Sequence, residues 1–190
     1  MDITNVFKSK TRKALFRLFY TNPQSEYYLR ELERILDIPV SMIRKELLHL
    51  EEAGIFASSR KGNLVYFFLN KSYPLFEEMK SMVFKTIGIK GLLKDILEKI
   101  KGVEAAFIYG SFAKNEENAK SDIDLFIIGK VDEDKLVTGI GKLEKVLKRE
   151  INYSLYSKRD FIKKKREKDP FISDLLEDSK IFLVGDKNDF

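Results

Sequence analysis

The sequence predicts an α+β (α/β) protein in two parts, a mainly helical first part and a second part in which strands and helices alternate. Up to residue 54, apolar residues recur at helical spacing, with interruptions at Pro23 and Pro39. Beyond residue 103, four short apolar runs are separated by amphipathic segments, which indicates a mixed sheet with flanking helices. With 44% hydrophobic residues, the chain of 190 residues has ample material for packed cores.

Three helices and a hairpin are predicted in the first part, which is the order of a winged helix-turn-helix. The predicted elements are a helix over 3–20, a helix from Ser25-Glu26, a helix over 40–53 that ends at Gly54, and two strands around a turn at 61–63. The break between the second and third helices falls at Pro39 and the two residues before it.

The third predicted helix carries the candidate DNA-reading surface. Ile43, Leu47 and Leu50 share the face that should be buried. The opposite face is polar, and a recognition helix reads base edges mainly from its N-terminal half. The tip of the hairpin, the wing, suits contact with phosphates or the minor groove. The candidate DNA-binding residues are Ser41, Arg44, Lys45 and His49 on the helix, and Arg60, Lys61 and Asn63 at the wing. A solvated helix face and a protein-interaction module are the alternatives for this surface.

Two segments of this part, 29–32 (LREL) and 44–54 (RKELLHLEEAG), resemble winged-helix regulators of the arsenic-repressor and multiple-antibiotic-resistance type. The resemblance covers about residues 5–88. It implies a transcriptional regulator that binds double-stranded DNA as a homodimer. The dimer contact would come from the first helix or from the apolar face of 74–87, for which packing within the chain is the alternative.

We expect a winged-helix domain over 1–73, connecting helices over 74–101 and a second domain over 102–190. Pro74 opens the connecting segment, whose last helix is predicted over 92–100. In the second domain we predict strands over 104–109, 122–128, 151–156 and 181–184, and helices that start at Ser111 and cover 132–148, 159–168 and 171–177. The basic run 163–166 is either a solvated helix face or a second contact to nucleic acid.

A paired-carboxylate motif is the most informative feature of the second domain. Gly110-Ser111 ends one apolar run, and Asp122 and Asp124 open the next after a ten-residue spacer. Residues i and i+2 of a strand point to the same face, so the two carboxylates project together. Two like charges on one face are costly unless a cation lies between them, and Mg²⁺ (or Mn²⁺) prefers such oxygen ligands. Gly110 allows a close backbone approach, and Ser111 offers a hydroxyl and an N–H that suit a phosphate.

This motif, with Lys114 and Ser121 beside it, resembles the minimal members of the nucleotidyltransferase superfamily that includes DNA polymerase beta. The resemblance implies that Asp122 and Asp124 hold Mg²⁺ and that a nucleoside triphosphate (NTP) is the ligand or substrate. It assigns the triphosphate to Gly110, Ser111, Lys114 and Ser121. The implied chemistry is in-line attack of a hydroxyl on the α-phosphorus, with pyrophosphate leaving.

One position departs from the family pattern. Active members generally place a third carboxylate on the neighbouring strand, where Asn152 aligns here, and an amide cannot act as a base. Glu150, two residues earlier, is the candidate third catalytic acid with Asp122 and Asp124. The first hypothesis is therefore a transcriptional regulator whose second domain binds NTP with Mg²⁺. An active enzyme that transfers a nucleotidyl group to a protein or small molecule is the second, and an antitoxin-like partner of a helical nuclease is the third.

Composition narrows the class of protein. The net charge is +5, and residues 1–90 carry 15 Lys and Arg against 10 Asp and Glu, while 91–190 carry 20 of each. The excess in the first part is a pointer to a polyanionic partner. Cysteine is absent, which excludes disulfides and thiolate metal sites, and no apolar run approaches the ~18 residues of a membrane span. With a polar N-terminus that does not read as a signal peptide, we expect a cytoplasmic protein without a membrane partner.

Overall fold

The computed structural model describes residues 9–118 and 121–186. It divides the chain into two compact units, with the boundary between Gly91 and Leu92. This boundary lies within the segment 74–101 that was predicted to connect two domains. The α+β fold class is confirmed, since each unit combines helices with a sheet.

From residue 9 onward, the first unit contains four complete helices and a small antiparallel sheet. Its elements are α1 (Lys10–Thr21), β1 (Tyr27–Tyr28), α2 (Leu29–Leu36), α3 (Val40–Glu52), β2 (Phe56–Lys61), β3 (Leu64–Leu69) and α4 (Phe76–Thr86). The strand order is β1-β3-β2, so the hairpin of β2 and β3 is extended at one edge by two residues. Three helices followed by a hairpin is the order that the sequence predicts, and the structure adds the short strand β1 before α2. Of the predicted first helix, residues 3–8 lie outside the described residues.

Local sequence explains where the helices of the first unit begin and end. The side chain of Ser9 accepts a hydrogen bond from the Arg12 N–H and caps α1. Asp37 adopts a left-handed conformation (φ 53°) that ends α2, and Pro39 precedes the first turn of α3. Gly54, at φ +76°, ends α3 in the way the sequence predicts.

The prediction that the second helix begins at Ser25-Glu26 is wrong. Helix α2 begins at Leu29, because Tyr27 and Tyr28 form β1 and pair with Phe67 and Tyr66 of β3. The rings of Tyr28 and Tyr66 meet edge to face with centroids 5.6 Å apart. Aromatic cross-strand pairs of this kind stabilise a sheet edge, and here they outweigh the helical spacing of the residues that follow.

The second unit contains a four-stranded mixed sheet with helices on its faces. Its elements are the main part of α5 (Ile89–Leu97), β4 (Val103–Tyr109), α6 (Ser111–Lys114), β5 (Ile123–Gly129), α7 (Glu133–Leu147), β6 (Ile151–Tyr156), α8 (Lys158–Arg166), α9 (Pro170–Glu177) and β7 (Ile181–Val184). The order is β6-β5-β4-β7; β5 and β6 are parallel and joined through α7, and the other pairs are antiparallel. Helix α5 begins three residues earlier than predicted, because Gly91 lies inside it rather than before it.

The central strand β5 is buried on both faces. Phe126 and Ile128 pack in a cluster with Phe161 of α8 and Ile172 of α9. On the other face, Ile123, Leu125 and Ile127 are fully buried as well. A strand covered on both sides is held firmly, and so the residues at its first end have a fixed place.

Candidate functional site

The two predicted carboxylates lie at the first end of β5. Asp122 directly precedes the strand and is exposed, whereas Asp124 is its second residue and is half-buried. Ile123, between them, is fully buried and points to the opposite face. The alternation that the sequence predicted therefore places both carboxylates on one face.

A cation bound between Asp122 and Asp124 would stabilise their two negative charges. Burial raises the pKa of the Asp124 carboxyl, and the negative charge of Asp122 raises it further. Both effects disfavour the ionised form of Asp124 in the metal-free protein. A divalent cation between the carboxylates would reverse them, so the donor set fits an ion with oxygen ligands.

Gly110 lies beside the carboxylate of Asp124. Strands β4 and β5 are antiparallel, and Tyr109 pairs with Asp124, which brings the end of β4 beside the carboxylates. Gly110 follows at φ +69° and ψ −148°, a conformation that side chains with a Cβ rarely adopt. A Cβ at this position would lie 2.5 Å from Asp124 Oδ2. The backbone conformation therefore favours glycine at this position, and any larger residue would also have to displace the Asp124 carboxylate.

Ser111 is the first residue of the short helix α6 and thus lies next to Gly110 at the same end of β4. Lys114, at the other end of α6, forms an ion pair with Asp178, with Nζ and Oδ1 2.9 Å apart. The hydrogen bond that the Lys114 ammonium donates to the Asp178 carboxylate, together with the negative charge of that carboxylate, raises the pKa of Lys114. The ammonium that was predicted to add positive charge to a phosphate site thus has a carboxylate partner here.

Asn152 occupies the register position beside the carboxylates. In the parallel pairing of β5 and β6, Asp124 is matched with Asn152, and Asn152 Nδ2 donates a hydrogen bond to Asp122 Oδ2 at 3.3 Å. Glu150 directly precedes β6; its carbonyl accepts a hydrogen bond from the Ile123 N–H at 2.9 Å, and its side chain is exposed. Among the described residues, no three His, Cys, Asp or Glu side chains form a group that could hold a metal ion. Glu150 therefore does not complete a three-carboxylate cluster with Asp122 and Asp124.

One functional candidate, Arg149, is absent from the sequence predictions. Its guanidinium is buried and donates to the carbonyls of Asn118 and Ser121, in the spacer before Asp122. The hydroxyl of Ser121, for which the resemblance implies a nucleotide contact, accepts a hydrogen bond from the Asn118 N–H at 2.9 Å. The sequence offers little signal for Arg149, since it stands in the charged run Lys148-Arg149-Glu150, which is typical of a surface.

The second candidate site is the exposed face of α3. Ile43, Leu47 and Leu50 are buried, as the helical spacing predicts. The predicted DNA-reading side chains of this helix are all exposed, namely Ser41, Arg44, Lys45 and His49. Two large apolar side chains, Met42 and Leu48, are 53% and 42% exposed among them. The structure thus brings the predicted residues together on one accessible helix face.

The wing is more constrained than the helix. Lys61 forms an ion pair with Glu26, and its ammonium also lies over the Tyr66 ring, 5.4 Å from the centroid. Arg60 Nε donates to the carbonyl of Gly62 at 3.2 Å, within the turn. Asn63 is exposed at the tip. A nucleic-acid contact by Lys61 would have to compete with Glu26.

The basic run of α8 is mostly exposed. Lys164 pairs with Asp169 at 2.7 Å, and Lys163 lies 4.0 Å from Glu167. These pairs neutralise part of the charge of the run. The helix buries Phe161 and leaves Ile162 38% exposed.

Comparison with known proteins identifies the second unit. A family model described as "Polymerase beta, Nucleotidyltransferase" matches residues 92–188, about half of the chain and nearly all of the second unit. No curated protein matches the chain. Within the described residues, no helix is both long enough and apolar enough to cross a bilayer.

Proposed function

The chain belongs to the polymerase beta nucleotidyltransferase family, and from this membership we propose that its second unit binds a nucleoside triphosphate with Mg²⁺. We propose further that the first unit binds double-stranded DNA, so that the protein is a transcriptional regulator with a nucleotide-binding domain.

The observation that carries the nucleotide proposal is the packing of Gly110 against Asp124. The backbone at the end of β4 approaches the carboxylate so closely that a Cβ at Gly110 would lie 2.5 Å from Asp124 Oδ2 and would force that carboxylate to move. Asp122 projects beside it, and the pair fits a divalent cation. Asp122 and Asp124 would hold the ion, and Gly110 and Ser111 would lie against the phosphates.

A bound Mg²⁺ would neutralise phosphate charge and polarise the α-phosphoryl group toward attack by a hydroxyl. The residues of this chain would orient the nucleotide but offer little help with the proton of that hydroxyl. Asn152 stands beside Asp124, and a neutral amide does not accept a proton at ordinary pH. Its amide group also donates to Asp122 and so occupies part of the carboxylate. We therefore propose that nucleotide is bound but turned over slowly or not at all.

The DNA-binding part of the proposal is supported by the exposed face of α3. Arg44 and Lys45 lie in the N-terminal half of this helix, and neither side chain forms an ion pair with another residue that the structure describes. A guanidinium can bind guanine O6 and N7 at once, which makes Arg44 the best candidate for a base contact. Such a protein would connect nucleotide occupancy with binding to an operator.

A transfer assay with α-labelled triphosphate separates this proposal from the enzyme hypothesis. The unmodified protein should retain the labelled nucleotide in the presence of Mg²⁺ and release it when the ion is chelated. It should leave protein and small-molecule acceptors unlabelled. Strong labelling of an acceptor would contradict slow turnover and would favour the enzyme hypothesis.

A further inference from the structure

Arg149 is the only buried charged side chain among the described residues, with 7% of its surface exposed. It follows α7 and precedes β6, at the end of the sheet where Asp122 and Asp124 lie. Burial of a charge is unfavourable unless specific partners replace the lost water. Its partners therefore indicate what the buried charge stabilises.

Those partners belong to both halves of the nucleotide motif. Arg149 Nη1 donates to the carbonyl of Asn118 at 2.8 Å and to the carbonyl of Ser121 at 2.6 Å. The guanidinium carbon also lies 5.3 Å from the ring centroid of Phe112 in α6, in a cation–π arrangement. Phe112 directly follows Gly110-Ser111, and Ser121 directly precedes Asp122. Arg149 thus contacts both the segment that follows Gly110-Ser111, the proposed phosphate-binding residues, and the segment that precedes Asp122, a proposed metal ligand.

The backbone that carries Arg149 is itself fixed. Lys148 adopts a left-handed conformation (φ 55°), and its N–H donates to the carbonyl of Glu144 at 2.8 Å. The Ile151 N–H donates to the Glu144 carboxylate at 2.9 Å. On the other side, the carbonyl of Glu150 accepts the N–H of Ile123. Arg149 therefore extends from a rigid connection between α7 and β6.

We propose that Arg149 is a positioning residue for the nucleotide site, which holds Phe112, Asn118 and Ser121 so that Gly110 and the carboxylates keep their places. The role rests on the proposed binding of NTP and Mg²⁺. It does not require Arg149 to touch the nucleotide. Arginine suits it because a planar guanidinium can donate to two carbonyls while its face packs on a ring.

The test compares three variants of the full chain. Arg149→Met keeps an unbranched side chain and removes the donors, whereas Arg149→Lys keeps the charge and some donor capacity. Leu136→Ala is the matched control, since Leu136 is fully buried on α7 and is not among the contacts of Arg149 described above. Thermal unfolding measures stability, and calorimetry measures the affinity for each NTP with Mg²⁺. Hydrogen exchange of peptides that contain Asn118 or Ser121 measures the order of the spacer.

We expect Arg149→Met to weaken NTP affinity by about tenfold or more, because a hydrogen bond to a charged group is lost at two carbonyls. In the ligand-free Arg149→Met protein, hydrogen exchange at Asn118 and Ser121 should be faster than in the unmodified protein. Arg149→Lys should lie between this variant and the unmodified protein. Leu136→Ala should lower the unfolding midpoint and leave the affinity of the folded protein unchanged. A merely structural role predicts instead that affinity follows stability across all three variants, and that result would overturn the proposal.

The remaining outcomes also decide the question. If Arg149→Met does not fold, Arg149→Lys decides: unchanged affinity and exchange overturn the role, and intermediate loss supports it. If the unmodified protein binds no triphosphate, the proposed function is wrong. Hydrogen exchange alone then tests whether Arg149 positions the segment around Asn118 and Ser121. Faster exchange at Asn118 and Ser121 in Arg149→Met than in Leu136→Ala would then support the positioning role, and equal exchange would overturn it.

Discussion

Replacement of Gly110 by alanine tests the geometry of the nucleotide site directly. The residue has φ +69° and ψ −148°, which lies in a region that is populated almost only by glycine. An added Cβ would also meet Asp124 Oδ2 at 2.5 Å, well inside van der Waals contact. Gly110→Ala must therefore strain the backbone and displace the carboxylate.

The loss of stability in Gly110→Ala can be estimated from the backbone strain. Backbone strain of this kind costs about 1–3 kcal/mol. For a unit of this size, each kcal/mol lowers the unfolding midpoint by roughly 4–8 °C. We therefore expect the midpoint of the second unit to fall by about 4–24 °C. Displacement of Asp124 should also weaken Mg²⁺-dependent NTP binding beyond what the loss of stability explains.

Gly141→Ala is the matched control, because it is the same substitution in the same unit. Gly141 lies in α7, and a Cβ there would meet nothing within 4 Å. Alanine in a helix interior is more stable than glycine by about 0.5–1 kcal/mol, so this variant should unfold at a higher temperature. Calorimetric unfolding of both variants gives the comparison. If Gly110→Ala were as stable as the unmodified protein and bound NTP equally well, the assigned geometry of Gly110 and Asp124 would be refuted.

Three further predictions concern single side chains. Asp124→Asn should stabilise the metal-free protein at pH 7. The pKa of Asp124 is raised in the folded state, so this carboxyl favours folding at a pH below the ordinary Asp value of about 3.9. That contribution to the free energy of unfolding is lost as pH rises and the group ionises, and a neutral amide avoids the loss. The gain should shrink as pH falls toward 3, as thermal unfolding across pH would show. Arg44→Ala should weaken binding to a selected duplex by about 1–3 kcal/mol in fluorescence anisotropy, whereas Lys85→Ala on α4 should change it little. Asn152→Asp should create or raise nucleotidyl transfer from α-labelled NTP, because it restores a carboxylate beside Asp124.

Each of these predictions has a clear contrary result. A lower midpoint for metal-free Asp124→Asn at pH 7 would contradict the electrostatic account of the carboxylate pair. Equal losses for Arg44→Ala and Lys85→Ala would show that α3 does not read bases. Unchanged transfer by Asn152→Asp, with NTP binding retained, would show that this position does not limit turnover.

The parts of the fold that depend on local pattern were predictable from the sequence. Alternation in the strand after residue 121 places Asp122 and Asp124 on one face, and the structure agrees. The strands at 151–156 and 181–184 have the predicted bounds, because the polar residues on either side of a short apolar run fix where the strand begins and ends. Helical spacing likewise identified the buried face of α3.

The parts that depend on distant contacts were not predictable in this way. Strand β1 has two residues, too few to show a period, and it exists only because β3 lies beside it. Lys114 pairs with Asp178, which is 64 positions away in the sequence. The donor bonds of Arg149 likewise join residues about 30 positions apart, so a charged residue that reads as surface is in fact buried. Such pairings follow from the order of the strands, which periodicity does not determine.

Calorimetric titration of nucleoside triphosphates into the full chain, with and without Mg²⁺, tests the central claim most directly. We predict saturable binding that requires Mg²⁺ and is lost in the double variant Asp122→Ala, Asp124→Ala, while this variant remains folded. Binding that persists without Mg²⁺, or that survives in the folded double variant, would contradict the assignment of the two carboxylates. So would the absence of any binding by the unmodified protein to all four triphosphates in the presence of Mg²⁺.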